Sequence, residues 1–197
     1  MMDEQKLALV LLPEIYGCNG FMEEVRAAYE KRGIAVFCPN LWMRAPFGYE
    51  EQEEAYAYFQ QHIGFGVYRD IDYLLEELQA AYDRVVVLGF SAGATLAWRC
   101  SALGHADGVI ACYGSRIRDY PEVEPRCDTL LLFAQQDSFA ADEVLTDLRR
   151  KKRVRGHIFP ARHGFLDPHG PTADARQAKE AWRRIDGFLQ EICALGQ

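Results

Sequence analysis

Short apolar runs and amphipathic stripes alternate along this chain, and that alternation restricts it to very few architectures. Lys6 to Leu12 (KLALVLL), Ile34 to Cys38 (IAVFC), Arg84 to Leu88, Gly108 to Tyr113 (GVIACY), Thr129 to Ala134 (TLLLFA) and Val154 to Phe159 have strand length. Most are apolar almost throughout, as strands buried on both faces are. Helical stripes lie between them. Phe21, Val25, Ala28 and Tyr29 share a face over Phe21 to Arg32, with Gly33 as the stop. Ile71, Leu74, Leu75, Leu78 and Tyr82 do so over Val67 to Tyr82. Ala92 to Leu103 and Ala141 to Arg150 also read as helices. Ala175, Ala178, Trp182, Ile185, Leu189 and Ile192 mark a helix over 173–195. This order predicts a three-layer α/β fold, a mostly parallel sheet with helices on both faces.

The 197 residues suit a single domain over 1–197, with Pro121 to Pro125 as a loop and not a linker. Residues 41–66 break the rhythm. Met43 to Tyr49 make a loop long enough to reach over a pocket, and Glu50 to Glu54 an acidic first turn of a helix running toward His62.

Lys plus Arg is 22 against 29 Asp plus Glu, a net charge of −7, which argues against nucleic-acid binding. The basic run Arg149 to Arg155 reads as a solvated helix end. No apolar run approaches the roughly 18 residues of a membrane span, and the N-terminus lacks a secretory pattern. The six cysteines form no Cys-x-x-Cys pair and have no histidine at ligand spacing. They read as free thiols in a reducing compartment, and a cytoplasmic protein is expected. No cofactor and no metal is expected; His163, Asp167 and His169 are the only set that invites the thought of one. A monomer or weak homodimer is expected, with no nucleic-acid or membrane partner.

Gly89-Phe90-Ser91-Ala92-Gly93 follows the strand VVVL and opens a small-residue helix, the setting of a nucleophile elbow. A plain strand-to-helix turn with Ser91 as cap is the alternative. A serine hydroxyl needs a base. Asp137 and His163 each lie just past a later strand, where open α/β sheets hold their ligands. The order Ser91, Asp137, His163 is that of the α/β-hydrolases. An oxyanion needs two N–H donors. The amide of Ala92 is one candidate, and that of Ile15, in the loop after the first strand, the other.

With these residues in hand, the chain resembles the dienelactone hydrolase family from about Leu7 to Leu189. Pro13-Glu14-Ile15-Tyr16-Gly17-Cys18-Asn19, the stretch Gly33 to Leu41, the elbow, Tyr113-Gly114, Gln136-Asp137 and His163-Gly164-Phe165 carry the likeness. The resemblance implies hydrolysis of a small-molecule ester or lactone through an acyl-enzyme, with Ser91, Asp137 and His163 as triad. It also implies that Glu14 stands beside the resting nucleophile; a structural carboxylate remains the alternative there.

Three departures qualify this. Founding members carry a cysteine where Ser91 stands. They begin with a hairpin that this chain lacks, so an N-terminally shortened sheet is expected. Their substrate-binding arginines have no counterpart here: Leu166 and Asp167 follow the histidine at three and four residues, and Gln52 lies near the other position. Neutral substrates are therefore expected, with Arg44, Arg69 and Arg116 as candidates to compensate and Trp42, Phe47, Tyr49, Phe65 and Tyr113 as candidate apolar walls. A catalytically altered or non-enzymatic binding protein on the same fold is the alternative reading.

Overall fold

The structure, a computed structural model, describes residues 6–194. Its strands are β1 (Leu7–Leu12), β2 (Ala35–Phe37), β3 (Arg84–Phe90), β4 (Gly108–Cys112), β5 (Asp128–Gln136) and β6 (Val154–Arg162). Its α-helices are α1 (Gly20–Glu30), α2 (Gln52–Tyr58), α3 (Tyr68–Gln79), α4 (Ala92–Cys100), α5 (Ala141–Leu148) and α6 (Ala175–Ala194). Residue 195, the expected end of the last helix, lies outside the described residues.

The strands form one sheet in the order β2-β1-β3-β4-β5-β6, with every neighbouring pair parallel. Burial on both faces explains the unbroken apolar runs. In β1, Leu7, Leu9 and Leu11 pack with residues of α1 and α6, while Ala8, Val10 and Leu12 pack with residues of α3 and α4. α5 covers β5 and β6 on the α4 face through Leu145 and Leu148. Full burial of a Leu or Val side chain contributes about 1.5–3 kcal/mol, so this double-sided core holds the sheet.

The chain leaves β1 for β2 on one side and, from β3 on, builds the sheet on the other. The carboxyl ends of β1 and β3 therefore flank a switch point, where such sheets open a crevice. Pro13, Ser91, Tyr113, Asp137 and His163 directly follow the five strands that end around it.

Three details differ from the sequence reading. β5 and β6 extend past their apolar runs, because backbone pairing continues where side chains turn polar, and β3 runs on through the buried Gly89 and Phe90. β6 tolerates Pro160 as an edge strand. The single helix expected from Glu50 to His62 is instead a 3₁₀ turn (Tyr49–Glu51), α2, a π turn (Phe59–Ile63) and a second 3₁₀ turn (Phe65–Val67). The π turn sits where Phe59 is fully buried against Trp42 and Phe65, with ring centroids 6.0 and 4.9 Å away. In α1, Met22 is buried and Ala28 exposed. Among the described residues no helix is long and apolar enough to cross a membrane.

Candidate active site

The turn from β3 into α4 is strained at one residue. Ser91 has φ +51°, a conformation that costs a non-glycine residue of order 1–3 kcal/mol. Its neighbours make the turn possible. A Cβ on Gly89 would overlap the Gly93 carbonyl, and one on Gly93 would overlap the Leu12 carbonyl. The elbow therefore packs backbone to backbone against the end of β1. Gly93 N–H donates to the Pro13 carbonyl at 3.1 Å and Ser91 N–H to the Cys112 carbonyl at 2.9 Å. Ser91 occupies the cap position of α4, but its hydroxyl makes no capping bond.

That hydroxyl meets His163 instead. Ser91 Oγ lies 2.8 Å from His163 Nε2, and His163 Nδ1 lies 2.7 Å from Asp137 Oδ2. Residue spacing alone does not make this alignment. Between the pairs Ala134–Phe159 and Gln136–Arg162, β6 holds one residue more than β5, and this bulge bends β6 just before His163. Asp137 then accepts a bond from Ser138 N–H at 2.6 Å. Thr172 donates from its hydroxyl to the His163 carbonyl at 2.6 Å and steadies the loop after β6. Burial disfavours the His163 imidazolium, but the hydrogen bond and charge of Asp137, with the charge of Glu14, outweigh it and leave the pKa raised. For Asp137 burial is outweighed by the bond to His163 and its charge, so this carboxyl is held below its ordinary value.

Two residues beside Ser91, Ile15 and Ala92, have backbone amides without a protein acceptor among the described residues, and both line the cleft with it. Ala92 begins α4, where the helix carries partial positive charge. The Ile15 loop is held from two sides. Gly17 N–H donates to the Glu14 carbonyl at 3.1 Å, and the Trp42 indole N–H donates to the Ile15 carbonyl at 2.9 Å.

Glu14 is buried at 6% exposure, and no hydrogen bond joins it to Ser91 among the described residues. It faces Tyr113 instead, a fully buried residue with φ +43°. Glu14 Oε1 and the Tyr113 hydroxyl both lack a well-aligned partner among the described residues. Burial pushes the Glu14 carboxyl up to about 7; Tyr113 and the charge on His163 oppose the rise, and Asp167 adds to it. Asp167 is also buried and accepts from the Tyr49 hydroxyl at 2.6 Å. Sequence reading missed this second buried acid, since nothing in the spacing ties residue 49 to residue 167.

The cleft over Ser91 has a volume of about 820 Å³. Its lining corrects two expectations. Of the five proposed aromatic walls only Phe65 lines it, together with Tyr56. Trp42, Phe47 and Tyr113 belong to the core, and Tyr49 is tied to Asp167. The cleft is also not poor in arginine: Arg116, Arg118 and Arg162 line it, against Glu53 and the His163-bound Asp137. Arg116 donates to Tyr56 and Asp119, and Arg118 to the Ser115 carbonyl. Arg162 donates to the Pro171 carbonyl at 3.0 Å and makes no ion pair among the described residues. Arg44 stacks on Phe47 and Arg69 lies beside Tyr68, both outside the cleft lining. Of the three candidate arginines Arg116 lines the cleft, while Arg118 and Arg162 are not legible in the sequence, because the turn after β4 and the distant end of β6 bring them together.

Among the described residues no group of three His, Cys, Asp or Glu side chains is arranged to hold a metal. His169 pairs with Glu24 at 2.8 Å, on a different course from His163.

Fold and site together define the α/β-hydrolase class: a parallel sheet, a strained serine after β3, and an acid and a histidine after β5 and β6. The sequence model of the dienelactone hydrolase family matches residues 2–193, and the chain belongs to that family. YczH of Bacillus subtilis, an uncharacterized protein, is 34% identical over 169 residues, covering 83% of this chain and 82% of YczH. The carboxymethylenebutenolidase of Pseudomonas sp. strain P51 is 26% identical over 210 residues, covering 95% and 86%. A dienelactone hydrolase-like promiscuous phosphotriesterase, P91, from metagenomic libraries superposes with TM-score 0.74 at 18% identity, covering 96% of this chain and 88% of P91. At that identity the superposition speaks for the fold alone.

Proposed function

We propose that this chain is a serine hydrolase that cleaves a small ester or lactone through an acyl-enzyme. One observation carries the reading: an unbroken line from Ser91 Oγ through the His163 ring to Asp137, at the floor of an open cleft. As Ser91 Oγ attacks the acyl carbon, His163 Nε2 takes its proton, and Asp137 steadies the imidazolium through Nδ1–H. The amides of Ile15 and Ala92 stabilise the oxyanion. His163 returns the proton to the leaving alcohol or ring oxygen. Water, with His163 again as base, then releases the acid and restores Ser91.

The three arginines support a cleft that accepts an anionic substituent as well as a neutral one, since guanidinium groups suit carboxylates. The free thiols support a cytoplasmic setting. The reading is tested with p-nitrophenyl esters of graded acyl length and a serine-reactive phosphonate. Turnover of the short esters, with loss of activity and a phosphonyl adduct on Ser91, is expected. Neither turnover nor adduct across the series would favour the non-enzymatic binding protein.

A further inference from the structure

Cys18 and Cys38 take no part in the proposed hydrolysis, yet the fold brings their thiols together. Their Sγ atoms lie 3.3 Å apart, joined across 20 positions of sequence. Cys18 sits in the loop after β1, one residue before Asn19, whose side chain caps α1 by accepting from Met22 N–H. Cys38 directly follows β2. Both are half-buried, whereas Cys100, Cys112 and Cys127 are buried.

We propose that Cys18 and Cys38 form a reversible disulfide that ties the loop carrying Ile15 to the end of β2.

Chemistry favours this pair over the other thiols. The thiolate is the reactive form. A hydrogen bond from Cys38 holds the Cys18 thiol below its ordinary value despite burial and Glu23, and Arg26 helps. The start of α1 adds a favourable partial charge. Burial pushes the Cys100, Cys112 and Cys127 thiols up, and Cys18 and burial push Cys38 up as well, so Cys18 is the attacking thiolate and Cys38 is its partner by position, 3.3 Å away. With hydrogen peroxide as oxidant, the Cys18 thiolate attacks one oxygen. The S–O bond forms, the O–O bond breaks, and hydroxide leaves with the electron pair. The Cys38 sulfur then attacks Cys18 sulfur and displaces the hydroxyl as water, its own proton completing the balance. Two thiols and one peroxide give one disulfide and two waters. A dithiol reverses the step by exchange.

The bond has a mechanical consequence, which rests on the oxyanion reading of Ile15. An S–S bond is about 2.05 Å long, so the two sulfurs must close by more than 1 Å from 3.3 Å. Cys18 is three residues from Ile15. Cys38 is four residues from Trp42, whose indole holds the Ile15 carbonyl. Closure therefore pulls on both supports of the Ile15 amide. Displacement of a catalytic donor by about 1 Å costs up to ~100-fold in rate.

The test treats the reduced full-length protein with hydrogen peroxide and follows intact mass, a proteolytic peptide map and p-nitrophenyl acetate turnover. We expect loss of two hydrogens in a linked Cys18–Cys38 peptide, reversal by dithiothreitol, and no link in Cys18→Ser or Cys38→Ser. Turnover should fall on the order of tenfold in the linked protein and stay unchanged in oxidised Cys38→Ser. Sulfinic acid on Cys18 without a link, or a link between other cysteines, overturns the proposal. A fully linked enzyme with undiminished turnover overturns its tie to the Ile15 loop. The mass readout needs no turnover, so an inactive protein that forms the bond supports the disulfide and counts against the hydrolase reading alone.

Discussion

The Oγ of Ser91 stands 2.8 Å from Nε2 of His163 although Ser91 holds the cap position of α4, where the helix would ordinarily claim its hydroxyl. The positive φ of Ser91 turns the side chain away from the helix axis and toward the cleft. Ser91→Ala and His163→Ala should each reduce kcat to the background that the oxyanion donors alone sustain, a loss of at least ~10⁴-fold. The double variant should lose no more than either single one, because the two act as a unit. Steady-state kinetics on a short ester decide it; retention of a tenth of the activity in either variant would remove that residue from the reaction.

Glu14 should behave as a destabilising group retained near the site. Folding raises its pKa from 4.5 to about 7, so the folded protein keeps a proton that the unfolded chain releases in that range. Its contribution to stability is complete below pH 4.5 and is lost as pH rises through 7. The loss above neutrality is on the order of 3 kcal/mol. Glu14→Gln should therefore raise Tm at pH 8 and leave it nearly unchanged at pH 4. Equal Tm values for the two proteins at pH 8 would contradict the burial penalty.

The same substitution bears on catalysis. The charge on Glu14 helps to raise the His163 pKa, and His163 must be neutral to act as base. The acidic limb of kcat/KM should lie above the ordinary histidine value and move to lower pH in Glu14→Gln. The cost in kcat should be about tenfold, or ~1.4 kcal/mol. A loss as deep as that of His163→Ala would instead make Glu14 a partner in proton transfer.

On the proposed oxyanion role of the Ile15 amide, Trp42 acts as a positioning residue through its bond to the Ile15 carbonyl. Trp42→Phe keeps much of the buried ring and removes the donor, a loss of about 1 kcal/mol. We expect kcat to fall about fivefold with KM nearly constant, since the bond acts on a transition-state donor. A change confined to KM would place the effect in substrate binding.

Arg162 is the cleft arginine without an ion pair among the described residues. Arg162→Ala should lower kcat/KM for an ester bearing a free carboxylate by about three- to tenfold, as expected for a solvent-exposed charge contact. A matched neutral ester should be unaffected. Parallel losses on both esters would assign Arg162 to structure, and no loss on either would restore the expectation of a neutral substrate.

Much of this protein was legible one strand at a time. Runs such as LALVLL and TLLLFA are apolar throughout because both faces of the sheet are covered, and that pattern survives in any single segment. The elbow was legible because Gly89 and Gly93 answer to a local demand, room for backbone against backbone. The placement of Ser91, Asp137 and His163 just past their strands was legible, since parallel strands all deliver their ends to one edge. The aromatic walls were misread because Trp42 and Phe47 have the same apolar character whether they line a cleft or fill a core.

Periodicity and strand ends are local properties, so the layered architecture and the residues delivered to the switch point can be read from the chain without coordinates. Which distant side chains meet is a property of the folded loops. The approach of Glu14 to Tyr113, the Tyr49 bond to Asp167, the Cys18–Cys38 contact and the arginine-lined cleft each join separate loops. Such contacts depend on how loops pack at one sheet edge, and no spacing within a single chain segment encodes that.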